Sequence, residues 1–500
     1  MARKGSPAGK LVWALIAVPF KLACIGLMIA LPLLGVWVAS SLAVFHNKSL
    51  VWAIAAGLVM FPLLPLLWEG LAHWRRSRKK KVGPRFLNLL DRMVLRTVTL
   101  NALFIGVLLA ANPQAGFTAL SARGDWMLAG KTGPRVEQLR KGLFQAADTL
   151  EWLYKLSKDN PYKKYDKDKG ERPTPAPKKK ADKTGEKPDR TDEKPDSTTG
   201  KKPDATDDQA KRRWPQPAAL HALVSSFPPQ EEKSPEWVGR YLAGRIADPL
   251  ERARAIHDYV ADRVAYDVPS YRAGKYPPQD AETVFRTGTG VCAGYARLFV
   301  AVSQAAGLEA RYLVGDVRSE NGQIDGEGHA WNAVKIEDRW HLVDVTWDSG
   351  HVSGNTFTKK LRTTYFLTPP EVFSADHFPE DPTWQLRDTP LTRGEFIRQP
   401  MMRPSFYAHG LKLKQPERSQ VTVTNSLTIE LDNPRQLFLL GTYNPQGGGS
   451  GVDCQVGEAQ TSVTCKFPAA GSFDVKLFLS AKQYGSYDYV GKVMVNASGG

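Results

Sequence analysis

The chain is poor in cysteine, with four among 500 residues. Those four sit in unlike settings, so no metal-ligand spacing and no dense disulfide framework can be drawn from them. Cys24 lies in an apolar run, Cys292 follows a Gly-rich turn, and Cys454 and Cys465 lie close together in a β-patterned tail, where one bond across a hairpin is conceivable. No calcium-binding loop pattern occurs either, so neither a metal nor another cofactor is expected. Charge is missing altogether from Leu22 to Phe45, a run longer than the ~20 residues needed to cross a bilayer and too long for the ~7–15-residue apolar core of a signal peptide. Apolar residues are nearly absent from Ser157 to Arg213, which excludes a packed core there.

What is present is strongly segregated. The net charge is +16, but its densest run, Arg75 to Lys81, directly follows a second apolar stretch, Leu50 to Trp68. Much of the remainder lies in the Pro-rich segment, where Lys-Pro-Asp recurs at Lys187, Lys194 and Lys202. The first pattern suits membrane topology and the second a solvated tether, so nucleic acid is not expected as a partner. A weaker third apolar stretch runs from about Met93 to Ala111, with Arg96 placed to snorkel toward head groups. Arg3, Lys4 and Lys10 before the first stretch, and the Arg75–Arg85 loop, are assigned to the cytoplasm by the positive-inside rule. Three spans then put everything after Asn112 outside it; two spans would put it inside.

The expected organisation is a multidomain chain: a membrane region with about three transmembrane helices (1–112), a helical segment (113–156), a disordered charged linker (157–213), an α+β domain (214–393) and a C-terminal β-sandwich (394–500). Val136 to Leu153 repeats at helical spacing. Asp248 followed by Pro249 reads as a helix start, and His257 as a residue of that helix's face. Beyond Gly394, seven short β-patterned runs between Gln420 and Val495 suggest an immunoglobulin-like sandwich with a default role in partner binding.

The chemistry concentrates between Gly288 and Trp347. Cys292 precedes an apolar helical stripe of Leu298, Phe299, Val302 and Ala306 that Gly307 ends, so it stands at a helix N-terminus. There the dipole and exposed N–H groups favour a thiolate and can receive an oxyanion. A small buried hydrophobe is the competing reading of a free cysteine. Leu308–Val317, His329–Ile336 and Trp340–Trp347 read as strands. A two-residue turn at Glu337-Asp338 pairs Ile336 with Arg339. Extended along both strands, that register sets Trp331 opposite Asp344 and His329 opposite Thr346. His329 and Asp344 are then diagonal neighbours ~7–8 Å apart on one face. A nucleophile facing a base and the residue that orients it is the arrangement of covalent acyl transfer. His341 falls on the opposite face. A metal site from His329, Asp344 and His351 has no supporting spacing.

Gly-Val-Cys-Ala-Gly-Tyr-Ala (290–296), His-Ala-Trp-Asn-Ala-Val (329–334) and Trp-His-Leu-Val-Asp-Val-Thr-Trp (340–347) together resemble the transglutaminase-like superfamily. Tyr365-Phe-Leu-Thr-Pro-Pro-Glu and the run from His377 to Leu386 narrow the resemblance to its kyphoskoliosis peptidase group. The resemblance covers roughly residues 245–390. It implies a papain-like α+β fold, with Cys292 as nucleophile, His329 as general base and acid, and Asp344 orienting the imidazole. It also implies a protein or peptide amide as substrate, opened by hydrolysis or transamidation. Because the superfamily includes members without activity, a catalytically inactive binding or scaffold protein of the cell envelope is the alternative.

Overall fold

The computed structural model describes residues 7–79, 87–166, 213–320, 322–446 and 448–499, with side chains from residue 19 onward. The Lys-Pro-Asp repeats lie outside the described residues.

Three apolar helical stretches near the N-terminus are long enough to cross a membrane: Pro19–Phe45, Leu50–Arg78 and Leu89–Ala111. Leu22, Ile29, Leu33, Trp52, Ile54, Leu67, Leu103 and Val107 point outward with half or more of their surface exposed. In water such a girdle would be costly, whereas hydrocarbon would accept it. The second stretch is broken at Phe61-Pro62, where Phe61 leaves helical geometry. Arg96 has an acidic partner on the second stretch. It pairs with Glu69, which also binds Arg92 at 2.9 Å, so the charges of two helices satisfy each other. The turn at Phe45–Ser49 and the end at Asn112 lie at one end of these helices. The Arg75–Arg78 cluster lies at the other.

The helical pattern expected from 134 to 156 is two helices, Pro134–Asp148 and Glu151–Ser157, separated at Thr149-Leu150. Before them, Pro113–Arg123 forms a helix buried along most of its length. It lies in the 113–156 segment expected to be helical, although periodicity marked only the later part, since a helix buried all round has no stripe. Its Phe117 shares a small core with Tyr154, Ile324, Ile397, Met401 and Met494, which joins the helical segment to both later domains.

The α+β domain packs the Cys292–Ala305 helix against a five-stranded antiparallel sheet. The strand order is 366–368, 339–343, 327–336, 310–317, 377–379. Tyr295, Phe299 and Val302 of the helix and Tyr312, Val334 and Val343 of the sheet meet in one core with Val260 and Tyr259 of the Pro249–Arg263 helix. Asp248 caps that last helix by accepting from the Leu250 and Glu251 amides. Gly288 and Gly307, with φ of 61° and 76°, close two helices in the left-handed region, as their residue type requires.

The expected hairpin turn is present. Glu337 and Asp338 both have positive φ, 49° and 62°, the type I′ geometry that matches strand twist. The register set by that turn holds from Ile336↔Arg339 to Asn332↔Val343 and then stops. Trp340–Trp347 is therefore not one strand. It ends at Val343, and Val345–Ser349 is a short helix whose N-cap is Asp344. Trp331 and His329 have no partners across from them on that side, because the chain has turned away. His351 lies in a separate hairpin of Gly350–Ser353 with Thr356–Lys359.

The C-terminal domain is a β-sandwich. One sheet runs 401–402, 488–497, 471–480, 438–445, 452–453, with 420–423 parallel to 488–497; the other runs 412–415, 426–432, 462–466, 455–456. Cys454 is the point at which one stretch of chain changes sheets: Val452 and Asp453 pair with 442–443, while Gln455 and Val456 pair with 463–464. Cys454 is bonded to Cys465, so the crossover is fixed to the second sheet. The cross-link closes a loop of 11-residue separation, for which chain entropy gives about 3 kcal/mol. The Cys454→Ala/Cys465→Ala variant should therefore unfold in the sandwich at a lower temperature, measured by calorimetry under non-reducing conditions. An unchanged transition would show that the crossover is held by packing alone.

Candidate active site

Cys292 is the first residue of its helix, after Val291 in extended geometry. The turn before it is built by Gln279, a side chain only 1% exposed. Its Oε1 accepts from the Val291 amide at 2.9 Å and its amide donates to the Pro277 carbonyl at 3.0 Å. A Cβ on Gly294 would come within 2.6 Å of that Oε1, so the glycine is what lets Gln279 reach the turn. Two or three residues of loop thus fix where the sulfur starts.

His329 and Asp344 are brought together. His329 sits in the 327–336 strand and its Nε2 lies 2.8 Å from Asp344 Oδ2. The diagonal placement expected from a continuous hairpin is not the cause. Asp344 caps the helix that follows the strand, its Oδ1 accepting from the Trp347 amide at 3.1 Å, and this capping turn swings Oδ2 toward the imidazole. Burial would raise the Asp344 carboxyl's pKa, but the His329 charge and the hydrogen bonds from His329 and His377 hold it well below the usual carboxylate range. An ionised carboxylate only accepts, so His329 Nε2 carries the hydrogen and Nδ1 is the nitrogen left for Cys292. Burial would likewise depress His329, yet the charges of Asp344 and Cys292 and hydrogen bonds to both raise it to about 10. Cys292 and Asp344 are fully buried, and His329 is 5% exposed.

His377 joins the group, and its role was not read from the sequence. Its Nε2 donates to the same Asp344 Oδ2 at 3.1 Å, and its Nδ1 meets Asp376 Oδ1 at 2.7 Å. The second Asp376 oxygen accepts from the Tyr365 hydroxyl at 2.7 Å. The line therefore runs Cys292, His329, Asp344, His377, Asp376, Tyr365. Phe373 packs on the His377 ring at 4.0 Å between centroids and Trp347 at 4.8 Å, which holds it in place. Among the described residues, ligand atoms of His329, Asp344 and His377 lie within 4.8 Å of one another. Both imidazoles direct an Nε2 hydrogen at one carboxylate oxygen, so the grouping is explained by hydrogen bonding, and His351 is not part of it. His257, expected on a helix face, is fully buried between Asp258 at 2.9 Å and Asp348 at 3.2 Å. Asp348 in turn accepts from the Tyr365 amide at 3.0 Å, so this second network props the far side of the Asp344 turn.

A family model described as the transglutaminase-like superfamily matches residues 238–345, and one described as a KY-like, immunoglobulin-like domain matches 393–499. Residues 238–345 are a transglutaminase-like domain. Among curated proteins, this chain is similar to kyphoscoliosis peptidase of Mus musculus, at 36% identity over 209 residues covering 40% of this chain and 32% of the relative. The Homo sapiens protein of that name matches at 35% over the same shares. Hillarin of Drosophila melanogaster matches at 24% over 251 residues, 44% of this chain and 30% of the relative. The chain thus spans about a third of the length of these relatives. The transglutaminase-like core and the immunoglobulin-like domain after it agree with the fold class and the resemblance read from the sequence.

The raised His329 titration gives the transglutaminase-like domain a distinctive pH dependence. A group whose folded value lies above its ordinary 6.5 contributes stability that is complete below 6.5 and lost as pH climbs through about 10. The melting temperature should fall across that window. In Asp344→Asn, which removes the main charge raising His329, the fall should move to lower pH and shrink. Calorimetry at half-unit pH steps checks both, and identical profiles for the two proteins would contradict the assignment.

Proposed function

We propose that the protein is a membrane-anchored cysteine acyl-transfer enzyme acting on protein or peptide amides, with Cys292, His329 and Asp344 as its triad. The observation that carries this reading is the buried line from Cys292 through His329 to Asp344, set at a helix N-terminus within a transglutaminase-like domain. The protonated His329 beside the sulfur makes an imidazolium the resting partner of the nucleophile. Sγ attacks the amide carbon, and the charge on its oxygen is received by the first amides of the Cys292–Ala305 helix. The C–N bond breaks as His329 gives its proton to the leaving nitrogen, which leaves a thioester on Cys292. His329 then takes a proton from water, the hydroxide attacks, and the acid and the sulfur are released. A primary amine in place of water gives a new amide. The name of the peptidase relatives favours water. Asp344 fixes the imidazole's hydrogen on Nε2, and His377 orients Asp344 without touching substrate.

Three helices of spanning length and the positive-inside count support a multi-pass anchor with the transglutaminase-like domain on the extracytoplasmic side. The basic cluster at Arg75–Arg78 lies at the opposite helix ends from the folded domains, as that reading requires. The sandwich offers the surface for a partner protein.

Incubation of the full-length protein in detergent micelles with a defined peptide set, with and without a primary amine, tests the reaction. Mass spectrometry should find hydrolysed peptide in the first case and an added amine mass in the second. Cys292→Ala should abolish both products, and Asp344→Asn should lower kcat by roughly 10²–10⁴-fold. A binding or scaffold role would instead leave every peptide intact while Cys292→Ala retained its partners. For the side of the membrane, protease added to intact cells should remove an epitope placed after Gly500; protection of that epitope in sealed cells would reverse the orientation.

A further inference from the structure

Ser157–Asp166 falls in the stretch whose composition reads as linker, yet it is built into the domain. The segment leaves the Glu151–Ser157 helix and is anchored beside Asp325 and Gly326, just before the 327–336 strand. Tyr154 donates to the Asp325 carbonyl at 3.2 Å, and Lys158 donates to the Gly326 carbonyl at 2.7 Å and pairs with Asp316 at 2.9 Å. Asn160 is buried and donates to the Gly315 carbonyl at 2.8 Å and to the carbonyl of His329 itself at 3.4 Å. Pro161 points outward, and Tyr162, only 1% exposed, points in. Its ring shares the core cluster of Cys292 and lies 5.4 Å from the Tyr276 ring. The domain grips the backbone at two places: Tyr312 donates to the Tyr162 carbonyl at 2.9 Å, and Arg297, five residues along the Cys292 helix, donates to the Tyr165 carbonyl at 2.6 Å.

Two facts turn this from packing into an occlusion. Cys292 has no exposed surface, so no amide can reach its sulfur in this arrangement. And the segment is built against the site: it turns at Asn160–Tyr162 into a single 3-10 turn, Lys163–Tyr165, inserts Asn160 and Tyr162, and is gripped from the domain through the Tyr162 and Tyr165 carbonyls. We infer that Asp159–Asp166 is a strap over the approach to Cys292, and that a substrate reaches the sulfur only when this strap lifts. The inference rests on the acyl-transfer reading for its meaning, but strap opening can be measured without any substrate. Lys163 and Lys164 face out, with Lys163 on Glu380 at 2.7 Å and Lys164 over the Tyr165 ring. The outer side of the strap is thus attached by surface contacts of small worth, and its inner side by Asn160 and Tyr162.

The test follows alkylation of Cys292 by iodoacetamide in the full-length protein, mapped by peptide mass spectrometry, alongside amide hydrogen exchange. Tyr312→Phe and Arg297→Met each remove one grip from the body of the domain without altering the strap. Each should raise the Cys292 alkylation rate about fivefold, the shift in opening that one lost hydrogen bond brings. Amides of residues 160–166 should exchange faster in the variants while those of the Cys292–Ala305 helix keep wild-type rates. Unchanged alkylation in variants whose strap amides exchange faster would overturn the inference. So would alkylation that rises only in step with exchange of the Cys292 helix, since the route to the sulfur would then be unfolding. Fast alkylation with no peptide product sinks the acyl-transfer reading and leaves the strap standing.

Discussion

The arrangement depends on one buried carboxylate. Asp344 has no exposed surface, and its two oxygens accept from two imidazoles and one backbone amide. A charge in such a place is tolerable only when fully hydrogen-bonded, and every donor comes from a different part of the chain. His329 comes from a central strand, His377 from the opposite edge strand and Trp347 from the helix that Asp344 itself caps. Satisfying this one group therefore fixes the end of the central hairpin, the start of a helix and the position of the edge strand together. The geometry around Cys292 is a consequence of that satisfaction as much as of the cysteine's own helix.

Much of this was legible in the residues, and the parts that were not have identifiable causes. The Glu337-Asp338 turn and its register could be read because side-chain alternation and turn length leave few choices. The continuation to Asp344 could not, because Val-Asp-Val-Thr-Trp alternates like a strand and a five-residue helix is too short to show a period. Its signal was the aspartate itself, a good N-cap residue three positions before the Trp347 amide it binds. His377 lies 33 residues from Asp344 and is joined to it only through the sheet order, which a hairpin argument does not reach. His257 looked like an ordinary helix-face residue because nothing local shows that Asp348 will fold against it.

The strap escaped for a different reason. Composition averages over many residues, and Ser157–Arg213 as a whole has almost nothing to bury. Asn160 and Tyr162 are single insertions, and their worth comes from where they land and not from the segment's character. Asn160 donates to the carbonyls of Gly315 and His329, which face each other across two central strands, and Tyr162 packs on Tyr276. A charged, proline-bearing stretch can therefore end in a few residues with a defined position.

The two states of cysteine in this chain set a final condition. Cys454 and Cys465 are joined, while Cys292 is free and buried. Surroundings that keep the first pair oxidised would carry an exposed, activated sulfur up the ladder to sulfenic and then irreversible acids. The other free thiol among the described residues, Cys24, lies in an apolar helix and is no resolving partner. With Cys292 fully buried, peroxide and disulfide reagents are kept from it by the same packing that closes it to any other molecule, so the burial that limits access also preserves the sulfur.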